Sequence, residues 1–172
     1  MRPHLLLWLF LAPGVVRAAE VTEGEVVQAL RKLGSVSRDK DRPGYPVTIV
    51  VFRPGPKVTD ATLVHVKALK TVEVLSLPGA NVTDKGLAHV RELHRLKTLG
   101  LARTRISNAG LARLAGLKLE HLFLNETKID DGGLKYLKKM KNLTVLSLTG
   151  TKVSDAGVRI LRKSLPGTRI AK

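Results

Sequence analysis

No cysteine occurs among the 172 residues, so no disulfide holds the fold, no cysteine-pair metal spacing exists, and a lipid-modified export signal is excluded. Aromatic residues are scarce at 3%. Trp8 and Phe10 lie at the extreme N-terminus, which leaves Tyr45, Phe52, Phe123 and Tyr136 for the rest of the chain. So few stacking side chains, without a base-reading motif, argue against sequence-specific nucleic-acid recognition. Acids are also short, 14 against 30 Lys and Arg, for a net charge of +16. That excess favours anionic partners without naming one. Long hydrophobic runs are missing as well: the apolar stretch from Leu5 to Val16 is about a dozen residues, against roughly 20 for a membrane-spanning helix.

That stretch has another reading. "MRPHLLLWLFLAPGVVRAAE" begins with Arg2 and His4, continues apolar, and ends in small residues, the order of a secretory signal peptide with Val16 and Ala18 at the minus-three and minus-one positions. Cleavage is expected after Ala18 or Ala19. Losing Arg2 and Arg17 leaves a net charge near +14. The expected location is secreted or periplasmic, with no integral membrane segment after cleavage. A chain of this length has room for about one domain, and without disulfides its stability has to come from packing.

What is abundant is repetition. "NVTDKGLAHV" at Asn81–Val90 returns as "KVSDAGVRIL" at Lys152–Leu161. The positions Val58, Val82, Ile106, Ile129 and Val153 are separated by 24, 24, 23 and 24 residues, each followed by Thr, Ser or Asp. Upstream in the same register stand "VEVLSL", "LKTLGL", "LEHLFL" and "LTVLSL". A fixed period of this length marks a repeat architecture.

One unit reads as strand, turn and capped short helix. In "LKTLGL", Leu99 and Leu101 stand two apart and share one side of a short strand. Ser107 suits a helix N-cap. Asn108 and its counterparts Asp60, Asp84, Asp131 and Asp155 are assigned to the positive end of the helix that follows. Leu111 and Leu114 share a helical face. A single unit cannot bury its apolar stripe, but stacked units can, with parallel strands on an inner wall and helices outside.

In these phrases the chain resembles the leucine-rich-repeat family over about residues 46–172. The T-D-x-G-L phrase is most similar to the 24-residue bacterial type and to the related cysteine-containing type of substrate-adaptor proteins. The resemblance implies an α/β solenoid forming a short arc that binds on its inner wall. One departure is the turn position, where those families often carry Asn or Cys and this chain has Ala80, Thr104, Thr127 and Thr151; a threonine hydroxyl can bond a neighbouring turn, and Ala80 cannot. The expected organisation is a signal peptide over 1–19, a capping helix and loop over 20–45, and about five repeat units over 46–172 ending in a short strand. "TEGEVVQALRKLG" supplies the capping helix, opened by a Thr22/Glu25 capping box and stopped by Gly34. "SVSRDKDRPGYP" is read as the joining loop.

Catalytic chemistry finds no constellation. The repeated Asp residues are explained by helix starts. His65, His89 and His94 lack metal spacing, no phosphate-cradling glycine loop occurs, and no nucleophile with a base can be named, so neither metal nor cofactor is expected. Gly86, Gly110, Gly133 and Gly157 form one column suited to close packing. Three N-x-T triplets begin at Asn81, Asn125 and Asn142; the repeat already requires Thr83 and Thr127, the leader and repeat type are of bacterial character, and the triplets are read as coincidence.

Alternation assigns Phe123 to the inner wall between Gly100 and Ser147. With His121 and Asn125 it forms a candidate anchor for a protein partner. Before the Ile/Val column stand Lys57, Asn81, Arg105, Lys128 and Lys152, with Arg103 beside them. At about 4.8 Å per strand these make a cationic edge about 19 Å long that an extended polyanion could neutralise. A second column, Lys67, Arg91, Ala115, Lys138 and Arg162, follows the helices. The leading expectation is a secreted, non-enzymatic module binding a protein or cell-envelope component through its inner wall. A polyanion-binding module, with an acidic polysaccharide as ligand, is the second reading, and an unrecognised hydrolase the third.

Overall fold

The computed structural model of the protein describes residues 5–7 and 19–172. Most of the expected leader lies outside the described residues. Of that region, β1 (Leu5–Leu7) pairs antiparallel with β2 (Ala19–Val21).

The remaining strands form one seven-stranded sheet in sequence order. They are β3 (Gly34–Arg38), β4 (Val47–Phe52), β5 (Val74–Ser76), β6 (Thr98–Gly100), β7 (His121–Phe123), β8 (Val145–Ser147) and β9 (Arg169–Ala171). From β4 to β9 every pairing is parallel, and the register sets Val50, Leu75, Leu99, Leu122, Leu146 and Ile170 side by side. All six are buried, the first five at 0% exposure, so one unbroken apolar column runs through the stack. At roughly 1.5–3 kcal/mol for each fully buried Leu or Val, such columns supply the stability that no disulfide provides.

The helices line the other side: α2 (Asp60–Val66), α3 (Leu87–Val90), α4 (Asn108–Leu114), α5 (Leu134–Leu137) after a 3-10 turn at Asp131–Gly133, and α6 (Asp155–Ser164). Each turns a leucine or valine pair inward: Leu63 and Val66, Leu87 and Val90, Leu111 and Leu114, Leu134 and Leu137, Val158 and Leu161. Most are too short to be stable alone. The shortened interval is absorbed between helix and strand, where the buried pair Leu117 and Leu119 stands two apart and its equivalents Leu69/Val72, Leu93/Leu96 and Met140/Leu143 stand three apart. Strand register therefore survives the deletion.

The N-terminal cap is more extensive than the sequence suggests. Helix α1 (Glu23–Arg31) opens with the expected Thr22/Glu25 capping box and buries Val26, Val27 and Leu30 against the first rung. The following segment, read as a loop, instead forms β3, which pairs antiparallel with β4 through Val36 opposite Val50. Without it the edge of β4 would expose unpaired N–H and C=O groups. Gly34 does not stop the helix, which ends three residues earlier. It starts β3, where any Cβ would run into the backbone of Val51 and Phe52.

The carboxylate column also differs from expectation. Its members reach across to the next rung. Asp60 accepts from the Thr83 amide at 2.8 Å and hydroxyl at 2.6 Å. Asp84 accepts from Ser107 at 2.8 and 2.5 Å, and Asp131 from Ser154 at 2.8 and 2.6 Å. In the one rung where the hydroxyl position holds Asp130, the preceding partner is Asn108, whose amide nitrogen donates to Asp130 Oδ1 at 2.6 Å while its Oδ1 accepts from the Asp130 amide at 3.2 Å. A carboxylate facing a carboxylate there would be repelled, and the amide removes the conflict.

The glycine column serves this bridge. A Cβ on Gly86, Gly110, Gly133 or Gly157 would collide with the side-chain oxygen of Asp60, Asp84, Asn108 or Asp131 respectively. The phrase [ST]-D-x-G is thus a link between coils, with hydroxyl and glycine receiving the previous aspartate and the phrase's own aspartate reaching forward. The turn threonines behave differently: Thr104, Thr127 and Thr151 donate to Leu101, Leu124 and Leu148, carbonyls of their own turn, at 2.7, 2.7 and 2.6 Å.

Two outcomes follow for stability. Gly110→Ala puts a methyl group into the Asp84 carboxylate, 2.8 Å from Ile106 Cγ2 and 3.0 Å from Leu87 Cδ1, and is expected to destabilise by about 1–3 kcal/mol in urea unfolding. Helix propensity alone predicts a gain of about 1 kcal/mol for the same change, so the sign decides; Gly116→Ala, which meets nothing within 4 Å, is the control. Acidification gives the second. The Asn108 side chain, with the Gly132 amide, and the Ser154 hydroxyl and amide hold Asp130 and Asp131 below the ordinary carboxylate range. The unfolded chain takes up these protons first, so the contribution is complete at neutral pH and is lost as pH falls below about 4 through the depressed values. Thermal unfolding between pH 6 and 2.5 should show Asp131→Asn losing less Tm on acidification than the parent chain.

Candidate functional site

Parallel pairing aligns the solvent side of the sheet into two rows. One runs Ser37, Ile49, Val74, Thr98, His121, Val145, Arg169, and the other Ser35, Val51, Ser76, Gly100, Phe123, Ser147, Ala171. Phe123 therefore stands between Gly100 and Ser147. Its neighbours are too small to cover it, and it remains 36% exposed on an otherwise small-residue floor.

Its flanking residues are held sideways. His121 Nδ1 lies 3.0 Å from Thr98 Oγ1, and the Asn125 side-chain amide donates to Ser147 Oγ at 2.7 Å. Each spends one hydrogen-bonding group on a neighbouring rung, so both are held in place within the chain. His121, Phe123 and Asn125 are thus brought together on one strand and its exit. A second apolar patch, not singled out from the sequence, lies at the N-terminal end of the wall, where Ile49 and Val51 are each 38% exposed. The signal was there: in "VTIVVF" both alternating faces are apolar, and the outward pair has nothing to pack against.

The cationic column is pinned by a second ladder beyond the strands. The amides of Asn81, Arg105, Lys128 and Lys152 donate to Val58, Val82, Ile106 and Ile129 at 2.8–3.1 Å. Lys57, Arg105, Lys128 and Lys152 are exposed, and none has a carboxylate within 4 Å among the described residues. Arg103 is different: its Nε lies 2.9 Å from Glu126 Oε1, so its charge is already met within the chain. Of the second column, Arg91 and Arg162 are exposed on the helix side, away from the wall.

Arg103 and Glu126 share another property. Gly79, Arg103, Glu126 and Gly150 fill one turn column, with φ of 62°, 58°, 54° and 72°. Glycine enters this left-handed region freely, whereas any other L-residue gives up roughly 1–2 kcal/mol. The Arg103–Glu126 pair, with side chains 70% and 53% exposed, returns only about 0–1 kcal/mol. The ion pair does not offset the strain of the two residues that make it.

His65, His89 and His94 remain apart from this wall, and no group of three His, Asp or Glu among the described residues could hold a metal ion. No described helix is long and apolar enough to cross a membrane.

Comparison with known proteins bears on the fold. A family model described as a leucine-rich repeat matches residues 139–159. No curated protein matches the chain. Among solved structures, an internalin of Listeria monocytogenes superposes with a TM-score of 0.52 and 25% identity, over 63% of this chain and 30% of that one. A leucine-rich-repeat protein of Leptospira interrogans aligns with a TM-score of 0.46 and 23% identity, over 63% of this chain and 33% of that one. This chain thus spans about a third of the length of either. With six parallel strands in register, helices on the opposite side, and the internalin likeness, the chain is a leucine-rich-repeat solenoid.

Proposed function

We propose that the protein is an exported, non-enzymatic binding module whose inner wall receives a protein or cell-envelope component, with Phe123 as the anchor. The observation that carries this reading is the one aromatic ring on the wall, left exposed between Gly100 and Ser147 and beside two prepositioned polar side chains. A rigid aromatic surrounded by small residues loses little conformational freedom on binding and offers a large apolar area. Two supports are indirect: the solenoid fold is commonly a protein-interaction scaffold, and the leader-like first residues fit export to the periplasm or beyond. Fold alone does not select a ligand.

Phe123→Ala should weaken capture of a partner recovered from the native envelope by about tenfold or more, roughly 1.4 kcal/mol or above, measured as the Kd of the purified pair. Equal affinity for both chains would remove the anchor.

A second reading rests on a separate observation, the exposed column of Lys57, Arg105, Lys128 and Lys152, none of which forms a salt bridge among the described residues. Like charges held at strand spacing repel one another, and a linear polyanion such as an acidic polysaccharide would relieve that repulsion. The Lys128→Glu/Lys152→Glu chain should elute from a sulfated-polysaccharide resin at clearly lower salt than the parent. Elution at the same salt would assign retention to other cations of the surface.

A further inference from the structure

We infer that Arg103 and Glu126 are specificity-determining residues of the inner-wall site, forming a rim of paired opposite charges that a polypeptide segment reads while it covers Phe123. The inference rests on the inner-wall reading for its ligand, and on the geometry of the turn column for its residues.

The column shows what the fold prefers. Before and after the pair, at Gly79 and Gly150, glycine occupies the same left-handed turn. Arg103 and Glu126 adopt that conformation with full side chains, and their ion pair is too exposed to compensate. The neighbouring rung makes room for them: a Cβ on Gly150 would come within 2.9 Å of Glu126 Cγ, so the glutamate stem lies over a glycine. Strain held against the preference of a repeated position points to a use outside stability.

Position identifies the use. Glu126 directly follows Asn125, and the Arg103 amide donates to the Asn125 carbonyl at 2.8 Å. The pair therefore borders the end of the strand that carries His121 and Phe123. Its chemistry selects among partners. A polyanion drawn to Arg103 would meet the Glu126 carboxylate beside it, whereas a polypeptide can bring a carboxylate to the guanidinium and an ammonium or amide N–H to the glutamate. An apolar side chain on Phe123 with opposite charges a few residues away is the ligand pattern that fits.

The test uses the purified full chain and a peptide selected against it from a random phage-displayed library. Three variants are compared with the parent. Arg103→Gly/Glu126→Gly relieves the strain and should raise Tm by about 2–6 °C while weakening the peptide about tenfold. Arg103→Glu/Glu126→Arg keeps both the internal pair and the strain, so its Tm should stay near that of the parent, yet it reverses the polarity a ligand meets and should lose the peptide to a similar degree. A lower Tm for the glycine variant would show that the residues serve the fold, and unchanged peptide affinity in the charge-exchanged variant would show that polarity is not read. Either result overturns the inference, as does a library that yields no binder. Phe123→Ala separates the two levels: unchanged affinity there removes the anchor and leaves the rim result standing.

Discussion

Coils stacked at the spacing of hydrogen-bonded strands, about 4.8 Å, oblige every side chain to lie beside its own counterpart in the next coil. A residue type is admissible in a column only if it tolerates itself or is matched to its neighbour. Leucine and valine satisfy this by dispersion and exclusion of water, and the run from Val50 to Ile170 is the result. Aspartate does not satisfy it facing aspartate. The chain resolves this by offsetting acceptor from donor, so that each carboxylate meets the hydroxyl and amide of the following coil across a glycine. Where a second acid enters the donor column at Asp130, the facing acid becomes Asn108. This exchange is what the bridge requires, while Asp60, Asp131 and Asp155 also occupy the first turns of their helices as expected.

Departures from the same constraint are then informative. Phe123 stands between Gly100 and Ser147, Arg103 and Glu126 break a glycine column, and the Lys57–Lys152 edge repeats one sign of charge along the stack. The first two lie on β7 and on the turns that follow β6 and β7. No stability argument explains either: an exposed ring leaves apolar surface in water, and the left-handed pair is strained beyond what its ion pair returns. Local cost concentrated at one place on a regular scaffold is the pattern expected of a binding surface.

The capping elements illustrate a different consequence. Interior coils have neighbours on both sides, whereas the first has one. Helix α1 and strand β3 together close that end, the helix over the core and the strand over the hydrogen-bonding edge. In the last described coil Asp155 is met by Lys172, and that lysine holds the Asp155 carboxylate below its ordinary range.

The repeat interval, the leucine columns, the inward and outward faces of each strand, and hence the outward placement of His121 and Phe123 with Asn125 just beyond them, were all determined by the sequence itself, because alternation and repetition are local and survive without coordinates. Strand β3 was hidden, since its single inward residue, Val36, leaves no alternation to detect. The aspartate bridges, the Arg103–Glu126 pair and the left-handed turn were decided only by tertiary structure. The bridges and the ion pair depend on groups 23 residues apart coming within hydrogen-bonding distance, a separation set by the pitch of the stack; along the chain, an aspartate next to a helix start shows only the nearer of its two environments.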